Sequence, residues 1–350
     1  MALLDPKQFE GVVDGKPVAL YTLRNASGMV CCITNLGAKI AQLLVADRNG
    51  QLGDVVLGYD SLEGVMSGAA SMGAFIGRYA GRIDNAAFTL DGVHHQLTAN
   101  NGPHCLHGGV KGSRYRVFDA VQYNPSSVEM RYVFADREEG FLGTLALSLM
   151  YSLTDANELV LDYEATALDK PTVASFTTHA YFNLNGHASG SVLDHKVTIH
   201  ADQQFGMTDD LVATGELLVL AGTPFDFQKP RAINALGAGG YDCCYLLNKS
   251  LPGQLTLAAE VSAQSGGRVM QVWSTEPAMQ FYTGLAPNEP LSAGPGKDGT
   301  RYLQQQSLSL EPQGYPNAPN LMHSYPKAAS AVYAPGVSRS GQTVYGFSTN

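Results

Sequence analysis

Apolar residues recur at every second position over long stretches of this chain, and that spacing belongs to β-strands. Leu145, Leu147, Leu149, Tyr151 and Leu153 share one parity. Asp155, Ala156 and Asn157 then supply turn chemistry, after which Leu159, Leu161 and Tyr163 alternate with Val160, Asp162 and Glu164. Successive side chains of a strand point to opposite faces, so this segment predicts a long hairpin with one buried face. A second hairpin is expected at Phe88–Leu90 and Val93–Leu97, joined by Asp91-Gly92, a dipeptide suited to two-residue turns. Further strands are expected at Val128–Phe134 and at Leu255–Leu257 with Val261. Val269–Val272 and Met279–Thr283 read as a pair joined by the turn Ser274–Pro277.

Helical periodicity is scarce. Short helical turns are expected at Ser61–Met66 and Gly68–Phe75, and nothing longer carries an amphipathic pattern with caps. The 38 glycines and 17 prolines punctuate the strands with turns. Many short strands in one chain imply an all-β fold, a large antiparallel β-sandwich with few short helices. No linker, charge run or low-complexity stretch divides the chain, so residues 1–350 read as a single domain, with the Ala/Ser-rich part near Ala328–Gly336 as a surface loop. The 45% hydrophobic content supplies a large core.

A formal charge of -9 argues against nucleic acid as a partner, since such binding needs a basic footprint. The five cysteines stand at positions 31, 32, 105, 243 and 244, an odd number with no Cys-x-x-Cys spacing. They form neither a disulfide framework nor a zinc site and fit a reducing compartment. Asp5, Lys7 and Glu10 interrupt the N-terminus where a signal peptide would be apolar, and no uncharged run of ~18 residues suits a membrane span. The expected setting is soluble and cytoplasmic, with no membrane partner. The sequence fixes no oligomeric state.

Four polar residues stand out because each lies in a dense and unusual local sequence. They are His107 in Leu106-His107-Gly108-Gly109, His179 in Thr177-Thr178-His179-Ala180-Tyr181-Phe182-Asn183-Leu184, Asp242 in Tyr241-Asp242-Cys243, and Glu311 in Glu311-Pro312-Gln313-Gly314. Two imidazoles and two carboxylates suffice for concerted acid–base work on a small polyhydroxylated substrate, with no metal or organic cofactor. Other patterns have plainer readings. Gly294-Pro295-Gly296-Lys297-Asp298-Gly299 has the spacing of a dinucleotide loop, but in a β-rich chain it reads as a mobile surface loop. His104 and His107 flank Cys105 without an acceptable fourth metal ligand nearby. His94 and His95 are adjacent on a strand and point to opposite faces; with His195, His200 and His323 they read as surface or structural histidines. Asp242 and Glu311 can also be read as the carboxyl pair of a glycoside hydrolase.

These segments resemble the galactose mutarotase (aldose 1-epimerase) family, from about Val12 to the loop ending at Asn320. Gly77-Arg78-Tyr79-Ala80-Gly81-Arg82-Ile83, Asn35-Leu36-Gly37-Ala38, Asp54–Tyr59 and Met279–Gly284 add to the likeness. The resemblance implies a mutarotase-type supersandwich with the sugar in an open cleft and an enzyme that interconverts the anomers of free aldohexoses such as galactose and glucose. It makes Glu311 the proton acceptor, His179 the proton donor and His107 the second active-site histidine. Arg82, Gly81, Tyr181, Asp242 and Gln280 fall on its substrate-binding positions. Two departures are visible: Gly81 stands where the family usually has Asn, and Cys243 where it often has His. Both are expected to alter how sugar hydroxyls are held.

Unperturbed pKa values suit this assignment. A carboxylate near 4.3 is ionised at neutral pH and takes the C1 hydroxyl proton, while an imidazole near 6.5, kept charged by that carboxylate, supplies a proton to the ring oxygen. Asp242 accepts from sugar hydroxyls and Arg82 donates in a fixed fork. A sugar-phosphate epimerase would need clustered cations, which the motifs lack. A non-catalytic sugar-binding protein of the same fold remains the other alternative, opposed by the presence of both His179 and Glu311.

Overall fold

The computed structural model describes residues 2–68, 71–234, 240–286, 289–292, 294–325 and 330–350. Its largest sheet has nine strands and runs Asp119–Asn124, Ser127–Phe134, Leu145–Leu153, Glu158–Ala167, Ser338–Thr349, Arg268–Ser274, Thr256–Ser262, Lys196–Ile199 and Arg231–Ala232. A five-stranded sheet runs Ala213–Val219, Ala201–Met207, Asp242–Leu247, Ala278–Tyr282 and Ser309–Gln313. A four-stranded sheet is built from Leu20–Arg24, Val30–Thr34, Lys39–Ala46 and Leu52–Asp54.

The alternating leucines explain the layering. Along Leu145–Leu153 every odd position is buried and every even one half-buried, and the strand pairs antiparallel with Glu158–Ala167 in the expected register. Each fully buried Leu contributes about 1.5–3 kcal/mol relative to exposure. Leu147, Leu149 and Tyr151 share one core with Cys31, Ile33 and Leu43 of the four-stranded sheet, and the Tyr151 hydroxyl donates to the Ala38 carbonyl at 2.8 Å. Phe281 and Leu310 of the five-stranded sheet enter that core beside Tyr345 and Phe347, with the Tyr345 hydroxyl donating to the Leu310 carbonyl at 3.3 Å. The two smaller sheets therefore cover the large one, which is the expected antiparallel sandwich. The Asp91-Gly92 hairpin forms as expected, Leu90 facing Val93 across the turn. No helix among the described residues is long and apolar enough to cross a membrane.

Four expectations change. Arg268–Ser274 and Ala278–Tyr282 do not pair with each other. The chain passes at Pro277 from the nine-stranded sheet into the five-stranded one, because each segment buries its apolar face against different partners. Leu62–Ser67 is a helix capped by the Ser61 side chain, but the expected helical turn at Gly68–Phe75, of which 69 and 70 lie outside the described residues, gives way to a strand. Gly73 at φ +71° ends any helical path, and Ala74–Ile76, buried throughout, pairs with Thr177–His179. The Gly294–Gly299 segment exposes Pro295, Asp298 and Gly299 as expected of a surface loop but is anchored inward: Lys297 is buried, and its Nζ donates to Asp54 Oδ2 at 2.6 Å and to the Val56 and Ala41 carbonyls. Of the Ala328–Gly336 loop, 328 and 329 lie outside the described residues, and Val332–Tyr333 pairs with Thr172–Val173.

Candidate active site

One face of the five-stranded sheet makes the floor of a cleft of about 250 Å³. The strand register decides which side chains reach it. Asp242 lies directly opposite Tyr282, and Gln280 lies opposite both Cys244 and Glu311, so these positions share a face with Gln313. The intervening residues Cys243, Phe281 and Leu310 point into the core. Cys243 is buried there, with Sγ 4.0 Å from the Phe281 carbonyl, and does not line the cleft. Parity thus removes Cys243 from direct contact with the cleft, so the expected effect of this departure on how sugar hydroxyls are held finds no support in the lining.

Beside Ser309–Gln313, at the edge of this floor, runs the strand Thr177–His179, which is held by its pairing with Ala74–Ile76 and, just beyond it, by the bridge between Phe182 and Leu308. His179 and Tyr181 share one side of it and line the cleft, while Ala180 and Phe182 enter the core. Asn183, fully buried, donates to the Gly190 and Gln306 carbonyls and fixes the chain just beyond. His179 Nε2 faces Glu311 Oε1 at 3.6 Å, and both side chains are almost wholly buried. The Tyr181 ring stacks on the His179 ring at 4.8 Å and 19°, and Tyr282 meets it edge-on at 6.4 Å. The buried Thr177 hydroxyl has no hydrogen-bond partner among the described residues. The two tyrosine rings thus pack against this imidazole from its face and its edge.

His107 approaches from a third direction, with its ring edge-on to that of His179 at 5.3 Å. Asn100 shapes its loop by accepting from Leu106 N–H and donating to the Leu106 and Gly109 carbonyls. The Gly81 N–H donates to His107 Nδ1 at 3.3 Å, so a neutral His107 carries its proton on Nε2, as a donor. Arg82 follows, its Nε donating to Asn101 Oδ1 at 2.9 Å, which leaves the terminal nitrogens for a ligand. Gln280 Nε2 donates to Asp242 Oδ1 at 2.5 Å.

All eight predicted site residues line this one cleft. Sequence reasoning missed Tyr282 and Gln313, although each is two positions from a chosen residue on the same strand and so shares its face. Leu106 and Pro316, from the motifs around His107 and Glu311, complete the wall with Ser71, Met207 and Leu211, which carry no motif signal. His104 does not join His107: it accepts from Asn85 N–H and lies near Asp84 and Asp210. Among the described residues no group of three or more His, Cys, Asp or Glu side chains is placed to hold a metal ion.

Burial alters the protonation picture drawn from unperturbed values. It pushes Glu311 well above the ordinary carboxylate range, an effect that the Asp242 charge reinforces. It also lowers His179 to about 4, helped by the Arg114 charge. Desolvation, then His179, Arg114 and Arg82, hold His107 well below its usual value. Asp242 is raised by burial against the opposing pull of Arg82 and Gln280. Burial thus favours a neutral carboxylic acid beside a neutral imidazole, an arrangement with one proton on the pair. The expected ionised Glu311 beside a charged His179 holds the same single proton, and burial shifts the balance in the free site toward the neutral arrangement.

Residues 19–346 match the family model described as aldose 1-epimerase. The chain is 40% identical to galactose mutarotase of Bos taurus over 302 residues, covering 84% of this chain and 85% of the relative. It is 34% identical to aldose 1-epimerase of Escherichia coli K12 over 342 residues, covering 95% and 96% respectively. The crystal structure of an aldose epimerase homologue from C. elegans superposes with a TM-score of 0.87 at 29% identity, covering 95% of this chain and 99% of that one.

Proposed function

This chain belongs to the aldose 1-epimerase family and interconverts the anomers of a sugar, and we propose that Glu311 and His179 carry the two proton transfers of that reaction. The observation that carries the assignment is the 3.6 Å approach of His179 Nε2 to Glu311 Oε1 at the floor of the cleft. Glu311 takes the C1 hydroxyl proton as His179 gives a proton to the ring oxygen; the bond between C1 and that oxygen breaks, leaving an aldehyde. Rotation about C1–C2 and reversal of both transfers close the ring on the other face. No electrons are exchanged with the enzyme, and its proton count is restored.

The shared proton suits this cycle. Opening begins with the carboxylate–imidazolium arrangement and ends with carboxylic acid and neutral imidazole, so the two arrangements of one proton are the two ends of the step. Burial favours the neutral end, and hydrogen bonds from the ring form of the sugar favour the charged end. His107 donates through Nε2 toward the ring oxygen or a neighbouring hydroxyl. Asp242 with Gln280, and Arg82 with Gly81 beside it, hold hydroxyls at the rim, and Tyr181 stacks on His179.

A glycoside hydrolase reading of Asp242 and Glu311 is disfavoured, because the matched family is aldose 1-epimerase and the group facing Glu311 at 3.6 Å is the His179 imidazole. Neutral aldohexoses fit better than sugar phosphates, since Arg82 is balanced by Asp242 and is held by Asn101. Comparing mutarotation rates across free aldoses, with hexose 6-phosphates as competitors, tests this: potent inhibition by the phosphates would contradict it. The family match across residues 19–346 supports one catalytic domain, and five buried free thiols support a cytoplasmic setting.

The pH dependence follows from the pair. The single-proton form is lost in acid only when His179 protonates as well, at about 4. It is lost in base only above the raised Glu311 value. We therefore expect kcat/KM, which reports the free enzyme, to show an acid limb well below 6 and a base limb above the ordinary carboxylate range. An acid limb centred near the ordinary histidine value would contradict this assignment.

Gly81 gives a specificity test. It sits at φ +77°, and a Cβ there would meet only the Gln313 amide at 3.9 Å. Asn is among the few L residues that enter this left-handed region readily, so the family's usual Asn fits without moving the backbone. Gly81→Asn is expected to lower KM for galactose or glucose several-fold with little change in kcat, the worth of one neutral hydrogen bond of about 0.5–1.5 kcal/mol. An unchanged KM for every aldose tested would show that the amide is unnecessary here.

A further inference from the structure

Arg114 lies behind the two imidazoles and has no place in the mechanism above. It belongs to a short turn, Ser113–Tyr115, that braces both sides of the site. Ser113 donates through N–H to the Gly77 carbonyl at 3.0 Å and through its hydroxyl to the Phe75 carbonyl at 2.6 Å. Phe75 in turn pairs with Thr178, next to His179. On the other side, Arg114 Nη1 donates to the His107 carbonyl at 3.4 Å and Nη2 to the Gly109 carbonyl at 3.2 Å. His107, Gly108 and Gly109 are three consecutive residues with left-handed φ of 54°, 79° and 96°. His107 is the one with a side-chain clash to overcome, so the loop needs an outside restraint. Packing around it is close: a Cβ on Gly112 would come within 2.4 Å of the His107 carbonyl oxygen.

We propose that Arg114 is a positioning residue, which clamps the left-handed loop carrying His107 and places a fixed positive charge beside the paired imidazoles. Both of its acceptors are neutral carbonyls, so neither bond neutralises the guanidinium. The side chain is buried over the Tyr115 ring at 4.9 Å, and its charge opposes protonation of His107, His179 and nearby Lys39. The other charged or titratable groups facing the imidazoles are Arg82, Asp242, Glu311, Tyr181 and Tyr282. Cys105 is near Arg114, and Glu139 lies across Gly109 from it, accepting from Val110 and Lys111 N–H. The proposal rests on the acid–base reading of Glu311 and His179.

Its test is the pH dependence of kcat and KM in Arg114→Met, Arg114→Gln and Arg114→Lys. Both neutral variants should lower kcat by about tenfold to a hundredfold through misplacement of His107, and should move the acid limb of kcat/KM upward. Arg114→Lys, which keeps the charge but cannot span two carbonyls, should lose rate with its acid limb in place. Arg114→Gln keeps a donor for the carbonyls and serves if Arg114→Met does not fold. An unmoved acid limb in a folded neutral variant overturns the proposal, whether or not rate is lost. Activity surviving in His179→Asn would instead overturn the underlying reading, whatever Arg114 does.

Discussion

Replacing Glu311 by Gln is expected to slow anomer interconversion by about 10²–10⁴-fold while the sugar still binds. The amide preserves the volume of a side chain that is only 2% exposed, and it keeps a hydrogen-bonding oxygen toward the C1 hydroxyl. It cannot take up the proton. Because the native carboxyl is itself disfavoured as an ion by burial, the neutral amide should not weaken the fold. Thermal unfolding alongside kinetics separates the two effects: an unchanged midpoint with a collapsed kcat is the expected result. Retention of more than about a tenth of the wild-type rate would remove Glu311 from the base role.

His179→Asn should be damaged on the same scale, for two reasons. It removes the group proposed to protonate the ring oxygen, and it dissolves that group's stack with Tyr181. Whatever rate remains should have lost the acid limb set by the His179–Glu311 pair. Rates measured from pH 4 to 9 decide the matter, and a profile parallel to that of the wild type would show that another residue is the acid. His107 is the neighbouring alternative, but Gly81 N–H binds its Nδ1, and its burial among His179, Arg114 and Arg82 opposes the charged form.

The layout of this site was legible in the sequence because β-strands convert parity into direction. Asp242, Gln280 and Glu311 sit on neighbouring strands at positions that share a face, and the same rule places Cys243 in the core and brings Tyr282 and Gln313 into the cleft. The hairpin from Leu145 to Ala167 was equally plain, since its apolar residues and its turn agree. Strand partnership was less so. Arg268–Ser274 and Ala278–Tyr282 look like a hairpin locally, yet each finds its partners from distant segments. Local alternation says which face is buried but not against what.

The protonation state was hidden for a related reason. Unperturbed pKa values describe residues in water, whereas Glu311 and His179 meet inside the fold, where desolvation outweighs their intrinsic preferences. Arg114 gave no motif signal, because its contacts are with carbonyls of a loop whose left-handed path appears only in three dimensions. Lys297 misled in the opposite sense: a glycine-rich neighbourhood suggested mobility, while its ammonium anchors the loop to Asp54 in the interior.

The most direct test of the account is the optical rotation of freshly dissolved α-galactose, recorded at neutral pH with catalytic amounts of wild-type protein and in parallel with Glu311→Gln. The account predicts a rapid approach to the equilibrium rotation with the wild type, and a time course close to the uncatalysed one with the variant. Equal acceleration by both proteins would contradict the role of Glu311. No acceleration by the wild type, together with release of nitrophenol from a nitrophenyl galactoside, would contradict the account as a whole.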